Sequence, residues 1–272
     1  MKTNNMTGFQ NIHSHTVYCD GKNTAEEMAL SAIEKGCGSF GFSGHSHAAF
    51  DAKHSMSEDD TKKYISEVTQ LKEKYAGQIE LFLGIEQEYY AAPIADGFDF
   101  MIGAVHYIKK DGQLVCVDNG PNRQQAAVDH HFGGDFYAMA ELYFETVSNA
   151  VTETKADVVA HFDLISKYNF DGNLFDEAHP RYVAAAISAM DEILKSCRLF
   201  EINTGAMYRF GKPEPYPSVF LLKELRRRGG EVIISSDSHN VESICFRYGD
   251  MLELAGHCGF KRVTRLTKDG FI

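Results

Sequence analysis

The chain is short of the features that mark several protein classes. Its six cysteines are scattered through 272 residues and form no CxxC pair. That length and spacing exclude the disulfide framework of a small secreted domain, and reduced, cytoplasmic thiols are expected. Proline is sparse, at six residues, and half of these fall in PEPYP at 213–217. No Pro/Gly/Ser-rich linker or low-complexity tract marks a domain boundary. No apolar run approaches the roughly 18 residues that a membrane span needs. The opening MKTNNMTGFQ has no apolar core of a signal peptide. Basic charge is also in deficit, with 27 Lys and Arg against 38 Asp and Glu, for a net charge of -11. A face that tracks a nucleic-acid backbone needs clustered cations. The one dense basic run, Arg226 to Arg228, lies late in an expected helix, where cations suit the negative end of the dipole. Neither nucleic acid nor membrane is expected as a partner.

What the chain does contain is a coarse repeat of a short apolar run followed by an amphipathic stretch. Runs at 9–13, 38–44, 78–86, 98–106, 156–161, 198–204 and 231–237 read as strands, several without alternation, as strands covered on both faces should be. Helical stripes separate most of them. Thr24 and Glu27 form a capping box ahead of Ala25, Met28, Ala29, Ala32 and Ile33, with Gly36 behind. Ser57 starts a second stripe with Tyr64, Val68, Leu71 and Tyr75, and Phe136, Ala140, Tyr143 and Val147 form a third. Later stripes run through Val183 to Leu194, Val219 to Leu225 and Ile244 to Ala255. Strand–helix alternation implies a parallel sheet. The length admits one large barrel or two small domains. Seven unbroken units favour one domain over 1–272, an α/β fold with a closed or nearly closed (β/α)7 barrel.

In such barrels the chemistry sits at the C-terminal strand ends. Here each run ends on a residue able to bind metal or substrate: His13 and His15, then His45, Glu86, His106, His161, Asn203, and finally Asp237 with His239. An imidazole that closes a run as apolar as FDFMIGAV is partly desolvated and needs a partner. Several converging on one barrel mouth are satisfied together by metal coordination. With Asp20, the donors number nine: His13, His15, Asp20, His45, Glu86, His106, His161, Asp237 and His239. One zinc takes three or four ligands, so two to three divalent ions are expected. A donor set of imidazole and carboxylate without Cys suits Zn, Mn or Fe. Of the other histidines, His54, His130 and His131 read as polar-loop residues. His179 starts a helix and His257 ends one, and His47 lies near the mouth as a candidate substrate contact.

The set HSH with a following Asp, then GHS, GIE, VH, AH and SDSH, resembles the PHP (polymerase and histidinol phosphatase) superfamily of metal-dependent phosphoesterases, over essentially the whole chain and in the same order. The resemblance implies a distorted (β/α)7 barrel with three metal positions. One would take His13, His15, Glu86 and Asp237. A second would take Glu86, His106 and His161, with Glu86 bridging, and a third Asp20, His45 and His239. The chain departs from the family pattern twice. Asp20 stands where many relatives have His, and Gly44 precedes His45 where many have Asp. Within the superfamily, EINTGAMYRFGKPEPYPS (201–218) resembles the histidinol-phosphate phosphatase branch. It offers Arg209, and after it Lys212, for the substrate phosphate, since a guanidinium matches phosphate oxygens bidentately.

The function this implies is phosphomonoester hydrolysis, with histidinol phosphate as the small-molecule substrate. Hydroxide held between metals would attack phosphorus in line. Glu86, Asp237 and His239 are the residues placed closest to that chemistry. Asp163 is a candidate acceptor behind His161, or with Glu88 an acidic rim for a cationic substrate. Two enzyme readings compete. Another PHP phosphoesterase would act on a different phosphomonoester, a nucleotide or a phosphodiester. A metal amidohydrolase also uses HxH on a first barrel strand, but it would have eight units and no role for Glu86. The sequence assigns no oligomeric state and no acid for the leaving group.

Overall fold

The structure is a computed structural model that describes residues 8–93 and 97–272. Residues 1–7, most of the stretch read above for a signal peptide, lie outside it. Seven parallel strands form one sheet in the order β1 (Phe9–Asn11), β2 (Cys37–Phe42), β3 (Glu80–Glu88), β4 (Phe100–Ala104), β7 (Val158–Val159), β8 (Leu199–Asn203) and β9 (Glu231–Ser235). Six helices flank the strands, α1 (Ala25–Glu34), α2 (Glu58–Lys74), α4 (Phe136–Thr154), α5 (Pro180–Ile193), α7 (Val219–Arg227) and α8 (Tyr248–His257), and two more, α3 (Pro121–Phe132) and the short α6 (Gly205–Phe210), lie in the connections of the described residues. The sheet curls until β9 returns to β1. Beyond the ends of those strands, Ser14 and Ser238 make a parallel bridge, with His15 N donating to Ser238 O at 2.8 Å and Ser238 N to His13 O at 3.0 Å. The barrel expected from the sequence is thus present, with seven strands rather than the eight of an amidohydrolase.

Local chemistry explains the elements. The capping box forms as read, with Glu27 N donating to Thr24 Oγ1 and Thr24 N to Glu27 Oε2. Strand β3 is buried at nearly every position because helices cover it outside and the barrel fills it inside. Ile12, Phe82, Phe100, Ile102, Val158 and Ile233 pack in that interior. Phe100 occupies space left by glycine: a Cβ on Gly84 would stand 2.2 Å from its ring, and one on Gly41 2.9 Å.

Four features depart from the reading above. His130 and His131 are in the last turn of a helix, α3 (Pro121–Phe132), not in a loop. That helix buries little besides Gln124 and Val128, so it has almost no apolar period; Pro121 at its start and a left-handed Gly133 at its end are its only local signals. A hairpin of β5 (Tyr107–Lys110) and β6 (Gln113–Cys116) follows His106, turning on Asp111-Gly112, both at positive φ (50° and 80°). A second hairpin, β10 (Leu266–Thr267) and β11 (Gly270–Phe271), closes the lower end of the barrel, where the Gln10 amide bonds both N and O of Leu266. Ile244 stays outside α8, because Cys245 and Arg247 take positive φ just before it. No helix of the described residues is long and apolar enough to cross a membrane.

The close approach at Gly84 predicts that Gly84→Ala loses about 1–3 kcal/mol from overpacking against Phe100. Gly256→Ala, in α8 with open space at its Cβ, should be neutral or slightly stabilising. Urea unfolding midpoints of the two variants test the contrast.

Candidate metal centre

The ends of β1 and β9 set the frame. Because successive side chains on extended backbone alternate, His13 and His15 point into the mouth while Ser14 points away and donates to Gly41 O at 2.8 Å. Asn11 clamps the seam, accepting from Ser236 N at 2.8 Å and donating to His13 O at 2.9 Å. Asp237 follows at φ 45°, a left-handed conformation that a non-glycine residue rarely takes. Gly205 lies against it: a Cβ there would stand 2.8 Å from Asp237 Cβ.

Glu86 is the hub. Its Oε2 stands 2.8 Å from His45 Nδ1, 3.3 Å from His13 Nε2 and 3.6 Å from His15 Nε2. Its Oε1 stands 3.0 Å from His161 Nε2 and 3.7 Å from His106 Nε2. Each oxygen of one buried carboxylate therefore faces its own set of imidazoles. Asp237 Oδ1 joins the first set, 3.2 Å from His15 Nε2 and 3.8 Å from His13 Nε2.

A third set forms around Asp20. Its oxygens lie 3.2 Å from His239 Nε2, 3.6 Å from His45 Nε2 and 3.7 Å from His15 Nδ1. The turn that carries Asp20 is tied down by Gly21 N on Thr16 O and Lys22 N on His239 O. It brings Gly21 so close to His15 that a Cβ would meet backbone at 2.5 Å. The nine donors named above are thus all brought to one mouth. The grouping differs in one respect. His15 and His45 each turn one ring nitrogen toward Glu86 and the other toward Asp20, so the first and third sets share residues.

The donor set fits divalent cations. His13 Nε2, His15 Nε2, Asp20 Oδ1 and Glu86 Oε2 are buried without a hydrogen-bond partner among the described residues. Four inward-facing lone-pair atoms in such a state are costly unless a cation takes them. The carboxylates are held ionised, while His13, His45 and His106 are raised against burial by Glu201, Glu86 and Glu88, so that a cation must displace their protons. Burial opposes ionising Glu86, but His45 and His13 outweigh it and hold the carboxyl well below its ordinary range. Asp237 is held down in the same way, chiefly by Arg209 and His13 against burial. Burial, with His239 and His45 crowding it, lowers His15 to about 3, the neutral ligand form.

Glu201, which the sequence reading passed over inside EINT, supports this frame. It is fully buried and accepts from His13 Nδ1 at 2.9 Å, His161 N at 2.6 Å, Asn203 Nδ2 at 2.7 Å and Ser235 Oγ at 2.5 Å. By taking the Nδ1 proton of His13 it leaves Nε2 free to ligate. Glu88 does the same for His106, accepting from its Nδ1 at 3.1 Å and its backbone N at 2.8 Å. The only signal for Glu201 was its position on an inward face two residues before Asn203.

A cavity of about 360 Å³ opens over the centre. Arg209 lines it as expected, with Nη2 3.0 Å from Asp237 Oδ2 and Nη1 3.0 Å from His239 Nε2. Three expectations are corrected. His47 is outside the lining and gives Nδ1 to Met56 O at 2.8 Å. Lys212 is also outside it, buried against the Tyr216 ring and facing Asp163. Asp163 is fully buried, accepts from Ser218 N at 3.0 Å and reaches neither His161 nor the cavity; burial pushes it up to about 7. The second cation in the lining is Lys167, paired with Asp118 at 2.8 Å. It was missed because it stands six residues past His161, after a 3-10 turn at Leu164–Ser166.

A seven-stranded parallel barrel whose strand ends carry clustered imidazoles and carboxylates defines a class of barrel built around a divalent-metal centre. The PHP domain family matches residues 11–205, and the chain belongs to that family. It is 27% identical over 275 residues to a Deinococcus radiodurans protein named "Probable histidinol-phosphatase", covering 95% of this chain and 97% of that one. A Bacillus subtilis protein named "Histidinol-phosphatase" is 22% identical, with 89% and 97% covered. The fold matches a Lactococcus lactis structure with a TM-score of 0.71 at 18% identity, covering 97% of this chain and 98% of that one.

Glu201→Gln keeps volume but places an amide NH₂ against at least one pair of donors. Chelator competition should show metal affinity reduced about 10–100-fold. A drop in melting temperature with unchanged affinity would assign Glu201 to stability alone.

Proposed function

We propose that the chain is a phosphomonoesterase, a histidinol-phosphate phosphatase, formed by one domain over 1–272 and acting on a small molecule rather than nucleic acid. It would hold two to three divalent ions, Zn, Mn or Fe, on His13, His15, Asp20, His45, Glu86, His106, His161, Asp237 and His239. The observation that carries the reading is the juxtaposition of that donor cluster with Arg209 and Lys167 in one cavity. Cations beside a metal-ligand cluster suit a phosphate dianion. The full-length relatives carrying the histidinol-phosphatase name support the substrate. So does the Lactococcus lactis protein of the same fold, whose structure contains zinc, L-histidinol and phosphate.

When bound, divalent ions supply Lewis acidity toward phosphate oxygens and make hydroxide available near neutral pH. The residues of the chain do the rest. Arg209, oriented by Asp237, grips the phosphate, and Lys167, which like Arg209 packs against the Phe210 ring, offers a second positive charge. Glu86 fixes the spacing of the two imidazole sets on its two oxygens, while Asp237 and His239 hold the far side of the centre. The cavity is also lined by Tyr107, Tyr168 and Asp118, which suit the flat, cationic remainder of histidinol.

Exhaustive chelation should abolish phosphate release and Mn or Zn should restore it; full turnover by rigorously metal-free protein would refute the proposal. Against a panel of histidinol phosphate, sugar phosphates, nucleotides and a phosphodiester, kcat/KM should be highest for histidinol phosphate. Arg209→Ala should raise KM roughly 10–150-fold, as expected for losing a hydrogen-bonded charge, with metal content retained. A collapse in metal content instead would make Arg209 part of the metal frame.

A further inference from the structure

We infer that Cys37 and Cys245, outside the metal centre, form a redox-active dithiol that closes to a disulfide under hydrogen peroxide. The two sulfurs stand 3.2 Å apart although 208 residues separate them in sequence. Cys37 opens β2 and is 5% exposed; Cys245 lies in the loop before α8 and is partly exposed. Forming a bond of about 2.05 Å needs only a small further approach.

Two features hold the pair together. Lys35, just before Cys37, donates from Nζ to Val241 O at 2.6 Å, Glu242 O at 2.8 Å and Ile244 O at 3.3 Å, pinning the Cys245 loop onto the start of β2. Cys245 N donates to Ser236 Oγ at 3.1 Å, and the residue sits at φ 59°, which a non-glycine side chain rarely accepts. The loop is thus locked in the conformation that aims Cys245 at Cys37.

The surroundings favour a reactive sulfur. Arg265 donates from Nη1 to Gly8 O at 2.8 Å, and its Nε and Nη2 are buried with no partner among the described residues, beside the start of β2. The hydrogen bond from Cys245, together with the charges of Lys35 and Arg265, lowers the Cys37 thiol against the opposing effect of burial. Cys19, Cys116, Cys197 and Cys258 are all pushed upward, chiefly by burial. Thiolate character therefore falls on the Cys37–Cys245 pair rather than on the other four cysteines.

The chemistry balances in two steps. The Cys37 thiolate attacks one peroxide oxygen, forming an S–O bond and breaking O–O; the departing hydroxide takes a proton and leaves as water. The Cys245 sulfur then attacks the Cys37 sulfur, forming S–S and breaking S–O, and the released oxygen leaves as a second water carrying the Cys245 proton. Two thiols and one peroxide give one disulfide and two waters, with two electrons passing from sulfur to oxygen. Peroxide, little larger than water, suits so narrow an approach.

The test uses full-length, metal-loaded protein treated with hydrogen peroxide, then denatured in an alkylating reagent and mapped by mass spectrometry. The expected result is a Cys37–Cys245 cross-linked peptide, a fall in alkylatable thiols from six to four, and full reversal by dithiothreitol. Cys245→Ser, oxidised in the presence of dimedone and then unfolded in it, should carry the adduct on Cys37. Persistence of alkylatable Cys37 and Cys245 while other cysteines oxidise would overturn the inference. So would an adduct on other cysteines but not on Cys37 in Cys245→Ser.

Discussion

Five imidazoles press on one buried carboxylate, and the upper half of this barrel is organised around that crowding. Glu86 has almost no solvent contact, yet His13, His15, His45, His106 and His161 all approach its two oxygens within 3.7 Å. Removing so many polar groups from water is expensive. The cost is met by placing opposite charges and lone pairs together and by leaving inward-facing atoms for cations. The lower half takes the opposite solution: Ile12, Phe82, Phe100 and Ile233 fill it with apolar volume, and the last hairpin covers its end. One barrel thus has a dry end that stabilises and a polar end that reacts.

The two ends meet at the seam between β1 and β9. There, pairing begins only beyond the strands, through Ser14 and Ser238, so the residues that close the barrel alternate with those that line its centre. The strain at Asp237 sits at this junction. Its conformation is held by Arg209, by Asn203 and by the close packing of Gly205. Barrel closure and ligand placement are therefore one structural event, and a change that loosens the seam is expected to loosen the centre.

Supporting groups follow the same logic at longer range. Glu201 ties β1, β7, β8 and β9 together with a single carboxylate, because its four donors come from the ends of those four strands. Glu88 locks His106 from the strand that carries Glu86. Such groups decide which ring nitrogen of a histidine is free, which a list of ligands does not reveal.

The sequence by itself determined the strand–helix alternation, the parallel barrel and the nine donors, because period, capping and His at strand ends are local features that the chain carries residue by residue. His47 and Lys212 were offered as substrate contacts on local grounds alone. Only the tertiary structure turned His47 onto Met56 O and buried Lys212 beside Asp163, while bringing Lys167 to the cavity from a turn with no motif. Helix α3 and the Asp111-Gly112 hairpin escaped the reading because neither carries a strong apolar period. Sharing of His15 and His45 between donor sets, the role of Glu201 and the meeting of Cys37 with Cys245 were likewise decided in three dimensions. Each depends on the direction of a side chain across strands distant in sequence, and direction is set by packing and barrel closure rather than by residue type.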